Sequence, residues 1–355
     1  MRVAVDAREL SGKPTGVGRY LRGLVREWLR PDATHGHEIL LYAHQPLTAV
    51  PFPCRVLPGS GGTLWEQRDL ASALRADTVE VLFSPAYSTP LLTRIPRVVA
   101  LHDISFAAHP EWFRAKEGLR RRVLARRSAA AARAVLTISE FSKREIVSRF
   151  GMAPGRVHVI PPGIDAPPAA SSADRADAVH LLYVGSIFNR RHIPDLVAAF
   201  ATLCAGHPDA RLHLVGDNRT HPYEDIAALV AGSRAAEAIR WHQYVSDEQL
   251  QALYRQARGF VFLSEYEGLG LTPLEALSAG IPPLLLDTAV ARESCGSAAL
   301  YVPLGDRGAT VSALERLLYD EPTRRTILRE APAILSRYDW PRAARQTLAL
   351  LEASA

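Results

Sequence analysis

Apolar and polar positions along this chain fall into short aliphatic and β-branched runs separated by longer stretches with helical spacing. In the first half the runs are RVAVDA from Arg2, EILLYAH from Glu38, VEVLFSP from Val79, RVVALHD from Arg97, AVLTISE from Ala134 and RVHVIPPG from Arg156. In the second half they are HLLYVGS from His180, RLHLVGD from Arg211, AIRWHQYV from Ala238, GFVFLSE from Gly259, PPLLLD from Pro282 and ALYVPLG from Ala299. Uniformly apolar runs alternating with amphipathic helices predict parallel α/β sheets covered on both faces. Among the helices, Leu21, Leu24, Val25, Trp28 and Leu29 form one apolar stripe. The stretch from Ile164 to Ala178 is rich in Pro, Ala, Ser and Asp, breaks the alternation and reads as a linker. Two similar doubly wound domains are therefore expected, residues 1–165 and 179–338, with 166–178 between them. They would face each other across a cleft, where pockets concentrate.

Composition changes this picture little. The chain has 355 residues, enough for two ordinary cores. Its 48% hydrophobic and 22% charged content is that of a soluble globular protein. No apolar run approaches the roughly 20 residues that span a bilayer. The N-terminus opens directly on a strand and lacks a signal-peptide layout. Three widely spaced cysteines, Cys54, Cys204 and Cys295, make no metal pattern and suit a reduced cytoplasmic setting. A net charge of +5 and a pI near 9.2 favour acidic partners such as nucleotide sugars or anionic lipid. No nucleic-acid-binding motif is present.

Candidate chemistry collects at the ends of predicted strands, where ligands of open α/β sheets bind. From Gly259 to Leu286 the chain reads as strand, glycine-bearing turn, helix from about Pro273, and strand. Glu267 lies in the turn and Glu275 in the first helical turn, on either side of Gly268-Leu269-Gly270-Leu271. Backbone N–H groups freed by glycines at a helix start suit phosphate, and flanking carboxylates suit hydroxyls. Thr272-Pro273-Leu274-Glu275 is equally a capping box. Gly185 ends a strand and is followed by Arg190 and Arg191, whose guanidinium groups fit phosphate oxygens or merely a solvated surface. Gly216 ends another strand, and Trp241 to Val245 leads into a helix start at Ser246.

In the first half, Thr15-Gly16-Val17-Gly18-Arg19-Tyr20 opens a helix. Its glycines admit an anion or make an ordinary turn, and neither a dinucleotide fingerprint nor a Walker lysine follows. His102 and Asp103 end a strand. The histidine serves structure or a site. Arg114 to Arg133 is a strongly basic helical segment, read as a solvated face or as a platform for anionic lipid or a pyrophosphate-linked acceptor.

The run Tyr266 to Ala276 resembles the E-x7-E signature of retaining glycosyltransferases of family 4, with both acids, both glycines and the later Ala-Gly-Ile-Pro run in register. The run from Val184 through Arg190-Arg191-His192 is similar to the family pattern V-G-x-x-x-x-R-K-N, with arginine for lysine and histidine for asparagine. The His102 to Phe113 run looks most like mannosyltransferase-type members. The resemblance implies a GT-B fold, with a C-terminal helix, residues 339–355, crossing back to the first domain. It implies that Glu267 lies by the donor sugar, Glu275 holds the ribose, and His102 contacts the sugar. Arg190, Arg191 and the amides of Gly268, Leu269, Gly270 and Leu271 would stabilise the departing diphosphate. Gly16 and Gly18 would close over the diphosphate and acceptor, with Gly185, Gly216 and Val245 completing the donor site.

The expected reaction is retaining hexosyl transfer, mannose from GDP-mannose first, to a glycan or lipid-linked oligosaccharide of a bacterial surface polysaccharide. No D-x-D motif is present, so neither metal nor cofactor is expected. The setting would be cytoplasmic or peripheral on the inner face of the plasma membrane. A nucleotide-sugar epimerase would instead release altered sugar without acceptor. A non-catalytic nucleotide-sugar-binding regulator would bind donor regardless of Glu267.

Overall fold

The computed structural model describes residues 1–12, 16–47, 50–165 and 179–355. The expected linker 166–178 and Thr15 lie outside the described residues. The chain divides into two compact units, Met1–Gly163 with Tyr338–Ala355, and Ile164–Arg337.

The first unit is built on seven parallel strands, β1 (Arg2–Asp6), β2 (Glu38–Ala43), β3 (Cys54–Val56), β4 (Val81–Ser84), β5 (Arg97–Ala100), β6 (Ala134–Thr137) and β7 (Val157–Val159), in the order β3-β2-β1-β4-β5-β6-β7. Its helices are α1 (Gly16–Trp28), α2 (Ala71–Ala76), preceded by a π-helical turn at Trp65–Leu70, α3 (Ser105–Ala108), α4 (Ala115–Ala131) and α5 (Glu140–Phe150). The central strands are buried on both faces, as their unbroken apolar runs require. β3 was not anticipated. It is three residues at the sheet edge, only partly covered, and follows two prolines, so no periodic signal exists to find. On α1, Leu21, Leu24, Val25 and Trp28 are buried, whereas Leu29 lies past the helix end and is exposed. Ser139 caps α5, its hydroxyl accepting from Ser142 N at 3.0 Å.

The second unit has six parallel strands, β8 (Val179–Val184), β9 (Ala210–Val215), β10 (Ile239–His242), β11 (Ala257–Phe262), β12 (Pro283–Leu286) and β13 (Leu300–Val302), in the order β10-β9-β8-β11-β12-β13. Its helices are α6 (Ile193–Cys204), α7 (Ile226–Ala231), α8 (Asp247–Gln256), α9 (Leu271–Ser278), α10 (Ala289–Cys295), α11 (Arg307–Tyr319) and α12 (Glu321–Leu335). In each sheet the order reverses once, between β1 and β4 and between β8 and β11. Crevices that take ligands open at such reversals.

The last helix, α13 (Trp340–Glu352), belongs to the first unit. Asp339 caps it, accepting from Arg342 N at 2.8 Å. Trp340 is 8% exposed, and two glycines make room for its indole. A Cβ on Gly163 would stand 2.2 Å from Trp340 Cγ, and one on Gly23 would stand 2.4 Å from Cη2. Trp28 Nε1 donates to the Ala344 carbonyl at 3.2 Å, tying α1 to α13 a turn further on.

Candidate active site

In the second unit Arg191, Glu267, Gly185 and Gly216 meet at the sheet reversal. β8 ends in Gly185, at φ 148°, and β9 ends in Gly216, at φ 149°. A Cβ on Gly216 would meet the Gly185 carbonyl oxygen at 2.0 Å, so the two strand ends approach as only glycine allows. The chain after β8 turns through Asn189–Arg191 and brings the Arg191 side chain back to Gly185. A Cβ on Gly185 would lie 2.6 Å from Arg191 Nη1.

There the guanidinium is held on every nitrogen. Nε and Nη2 donate to Glu267 Oε1 at 3.1 and 2.8 Å, and Nη1 donates to the Ser186 carbonyl at 2.6 Å. The rings of Phe262 and Phe188 lie 4.7 and 5.3 Å from its Cζ. The Ser264 hydroxyl donates a further bond to Glu267 Oε1, at 2.8 Å. Burial alone would push the Glu267 carboxyl up. Arg191, Arg190 and the Ser264 hydroxyl outweigh it and hold the group below the usual range. Arg190 has its own ring contact, with Cζ 4.2 Å from the centre of Phe188. His192, at φ 47°, sets Nε2 2.6 Å from Glu265 Oε1 and Nδ1 3.3 Å from Asp195 Oδ2, pinning this turn to the loop after β11.

The capping box does not form. Gly270, at φ 88°, is the residue before α9, no side chain caps this helix, and the helix starts at Leu271 rather than Pro273. Thr272 is therefore its second residue and Glu275 its fifth, two residues deeper than the sequence indicated. A left-handed glycine began the helix where a threonine hydroxyl was expected to. The capping reading of Glu275 is thus removed. Gly268 and Leu269 are buried, while Gly270, Leu271 and Glu275 are half-buried. A hollow of about 20 Å³ behind this loop is lined by Phe262, Ser264, Glu267, Gly270, Leu285 and Ser294 among others. Val245 is half-buried just after β10, before Ser246, which caps α8 in a full capping box with Gln249. The Trp241 indole donates to the Gly216 carbonyl at 2.9 Å, joining those two stretches.

In the first unit, Gly16 is exposed at the start of α1 and Gly18 is buried two residues further in. The same helix places Tyr20 edge-on against His102, with ring centres 4.6 Å apart. His102 is 8% exposed, and its Nε2 lies 2.9 Å from the Pro85 carbonyl. Burial pushes its pKa down to about 4, against the opposing pull of Pro85 and Asp103. The ring is neutral near pH 7, and the carbonyl claims the proton on Nε2, which leaves Nδ1 an acceptor. Asp103 makes its hydrogen bonds elsewhere, its Oδ1 accepting from the Ser105 N and Oγ at 2.9 and 2.8 Å at the entry to α3.

Four participants had not been singled out. Ser264, Phe188 and Phe262 surround the Arg191–Glu267 pair, and Tyr87, held at φ 62°, sets its ring 5.9 Å from that of His102. Only Tyr87 departs from local expectation, and φ is not written in sequence. Among the described residues no group of three His, Cys, Asp or Glu is placed to hold a metal ion. No helix among them is long and apolar enough to cross a membrane.

Known proteins align with both units. The family model described as Glycosyltransferase Family 4 matches residues 14–166, and the one described as Glycosyl transferases group 1 matches residues 170–333. The Escherichia coli O-antigen chain mannosyltransferase B is 26% identical over 327 residues, covering 89% of this chain and 83% of that protein. A GDP-mannose:cellobiosyl-diphosphopolyprenol alpha-mannosyltransferase of Xanthomonas oryzae pv. oryzae is 29% identical over 251 residues, 69% of this chain and 64% of that protein. Among solved structures, sucrose-phosphate synthase from Thermosynechococcus elongatus superposes with a TM-score of 0.78 at 19% identity, covering 99% of this chain and 98% of that one. Anabaena HepE in complex with UDP and glucose superposes at 0.76, with 19% identity and 100% and 99% coverage, and shares the fold. The two family matches take in most of the chain, which therefore belongs to the family 4 glycosyltransferases and is a transferase of the GT-B type.

Proposed function

We propose that this enzyme transfers a hexose, with retention, from a nucleotide sugar held by the second unit to a hydroxyl of a glycan or lipid-linked oligosaccharide taken up by the first. The observation that carries the reading is Glu267, held by Arg191 and Ser264 at the β8/β11 reversal, beside the glycine-led start of α9. In this reading Glu267 accepts hydrogen bonds from sugar hydroxyls, and Glu275 takes the ribose. Arg190 and the amides from Gly268 to Leu271 stabilise charge on the departing diphosphate, where it develops in the transition state. Gly185, Gly216 and Val245 line the nucleoside. Gly16 and Gly18, in the first turn of α1, meet the diphosphate, and neutral His102 presents Nδ1 to the sugar.

No residue is assigned as a covalent nucleophile. The acceptor attacks from the face the diphosphate leaves, and the diphosphate takes the acceptor's proton. Arginine and amide groups supply the positive charge, so the reaction is proposed to need no divalent metal. GDP-mannose is the first donor to test, since two relatives are named for mannosyl transfer.

Helix α4 supports a membrane-associated acceptor. Leu119 and Val123 are 53% and 41% exposed on a face that also carries Arg120, Arg126 and Arg127, a pattern that suits an anionic lipid surface.

A thermal-shift screen against GDP-, UDP-, dTDP- and ADP-sugars with EDTA present tests the reading, because a ligand that binds only the native state raises the melting temperature. One nucleotide should give a clear shift that is lost on replacing Arg190 with alanine. Silence with all four would overturn the assignment, and a shift that needs added divalent metal would overturn metal independence.

A further inference from the structure

Arg191 occupies the lysine position of the family pattern, and a second phosphate-binding cation would be the simple expectation there. The structure gives its guanidinium another occupation. Its Nε and Nη2 converge on one oxygen, Glu267 Oε1, which also receives the Ser264 hydroxyl. Oε1 thus carries three donors, and among the described residues no protein hydrogen bond reaches Oε2. The Glu267 side chain is 19% exposed and that of Arg191 11%. The opposite edge of the guanidinium is anchored on the Ser186 carbonyl, its plane lies against two phenylalanine rings, and Gly185 leaves the room it needs. A lysine ammonium is a single point and does not span Glu267 and Ser186 while lying against those rings. The charges of Arg191 and Glu267 also cancel, so the pair adds little net charge toward a diphosphate.

We infer that Arg191 is a positioning residue, fixing the Glu267 carboxylate with Oε1 sequestered and Oε2 turned toward the donor's sugar, while Arg190 and the α9 amides alone meet the diphosphate. This rests on the reading of Glu267 as the sugar-binding carboxylate. With one acceptor oxygen presented in one orientation, the site selects hydroxyl geometry on the hexose.

Isothermal titration of the full chain separates the two roles, using GDP, UDP, ADP and dTDP each alone and as its hexose conjugate. The variants are Arg191→Gln, which deletes the charge, and Arg191→Lys, which keeps it without the fork. Both should bind the preferred free nucleoside diphosphate within about twofold of wild type. Both should lose roughly tenfold or more of the extra affinity that the correct hexose confers, the scale of a charged hydrogen bond. The groups facing Glu267 are Arg191, Arg190, Ser264 and Tyr183. Deleting Arg191 lets the carboxyl take up a proton at higher pH. The acid-side loss of sugar-nucleotide affinity should therefore move to higher pH in Arg191→Gln and much less in Arg191→Lys. Ser264→Ala, a milder change at the same oxygen, should weaken hexose discrimination in the same direction and guards against a misfolded arginine variant.

Equal loss of free diphosphate and conjugate in Arg191→Gln, with rescue by Arg191→Lys, would overturn the inference and make Arg191 a phosphate clamp. No binding of any nucleotide by wild type would remove the donor-site reading itself, and the inference with it.

Discussion

Trp340 anchors the last helix to the first unit, and a double substitution tests how. The indole is 8% exposed and lies where Cβ atoms on Gly23 and Gly163 would intrude. Burying roughly 150–250 Å² of aromatic surface at about 25 cal/mol per Å² contributes about 4–6 kcal/mol as an upper limit. Trp340→Ala should accordingly cost about 3–5 kcal/mol. At roughly 2–4 °C per kcal/mol for a unit of this size, that is a fall of about 6–20 °C in the first unit's transition.

Gly23→Ala is more discriminating because two effects oppose. Alanine inside a helix gains about 1 kcal/mol over glycine. Against that, its Cβ would stand 2.4 Å from Cη2 of a ring already close against Gly163, and overpacking of this kind costs about 1–3 kcal/mol. The clash should win in wild type. In the Trp340→Ala background it disappears, so Gly23→Ala should turn neutral or stabilising by up to ~1 kcal/mol. Urea unfolding, with hydrogen exchange of the α1 and β4 amides to identify the unit that opens, measures all three variants. An equal penalty for Gly23→Ala in both backgrounds would refute the cradle.

Other outcomes follow from the same geometry. The native pKa of His102, about 4, lies below its ordinary 6.5, so the unfolded chain takes up the proton first. Stability from this group is complete above pH 6.5 and is lost as the pH falls toward 4, about 2 kcal/mol by pH 5. His102→Gln should show that much less loss between pH 7.5 and 5 in urea titrations, and an unchanged slope would contradict a buried neutral ring. Gly216→Ala, facing a contact of 2.0 Å at φ 149°, should destabilise the second unit by at least ~2 kcal/mol and abolish nucleotide-induced thermal shifts. Replacing Arg120, Arg126 and Arg127 with glutamate should abolish cosedimentation with vesicles rich in anionic lipid, at roughly 1 kcal/mol per removed charge, and leave nucleotide binding intact. Salt-insensitive vesicle binding, or none by wild type, would count against the α4 surface.

Much of the fold was legible because strands of a parallel sheet are buried on both faces and must be apolar throughout, a constraint visible residue by residue. β3 escaped because three partly covered residues at an edge need no such pattern. The positions of Glu267, Arg190 and Arg191 at strand ends were also legible, since polar residues that break off an apolar run mark the rim of the sheet. The start of α9 was misjudged because the turn at Gly270 depends on a left-handed backbone, and the Thr-Pro-Leu-Glu run offered a plausible side-chain alternative.

By itself, the sequence determined two parallel α/β units, the rim on which chemistry sits, and the family. Tertiary structure alone decided which partners meet. It set Arg191 on Glu267, 76 positions away, and seated Trp340 between Gly23 and Gly163. Periodicity reports which face of an element is buried. It carries no information about the side chain waiting on the other side, because that pairing is settled by packing among elements distant in the chain.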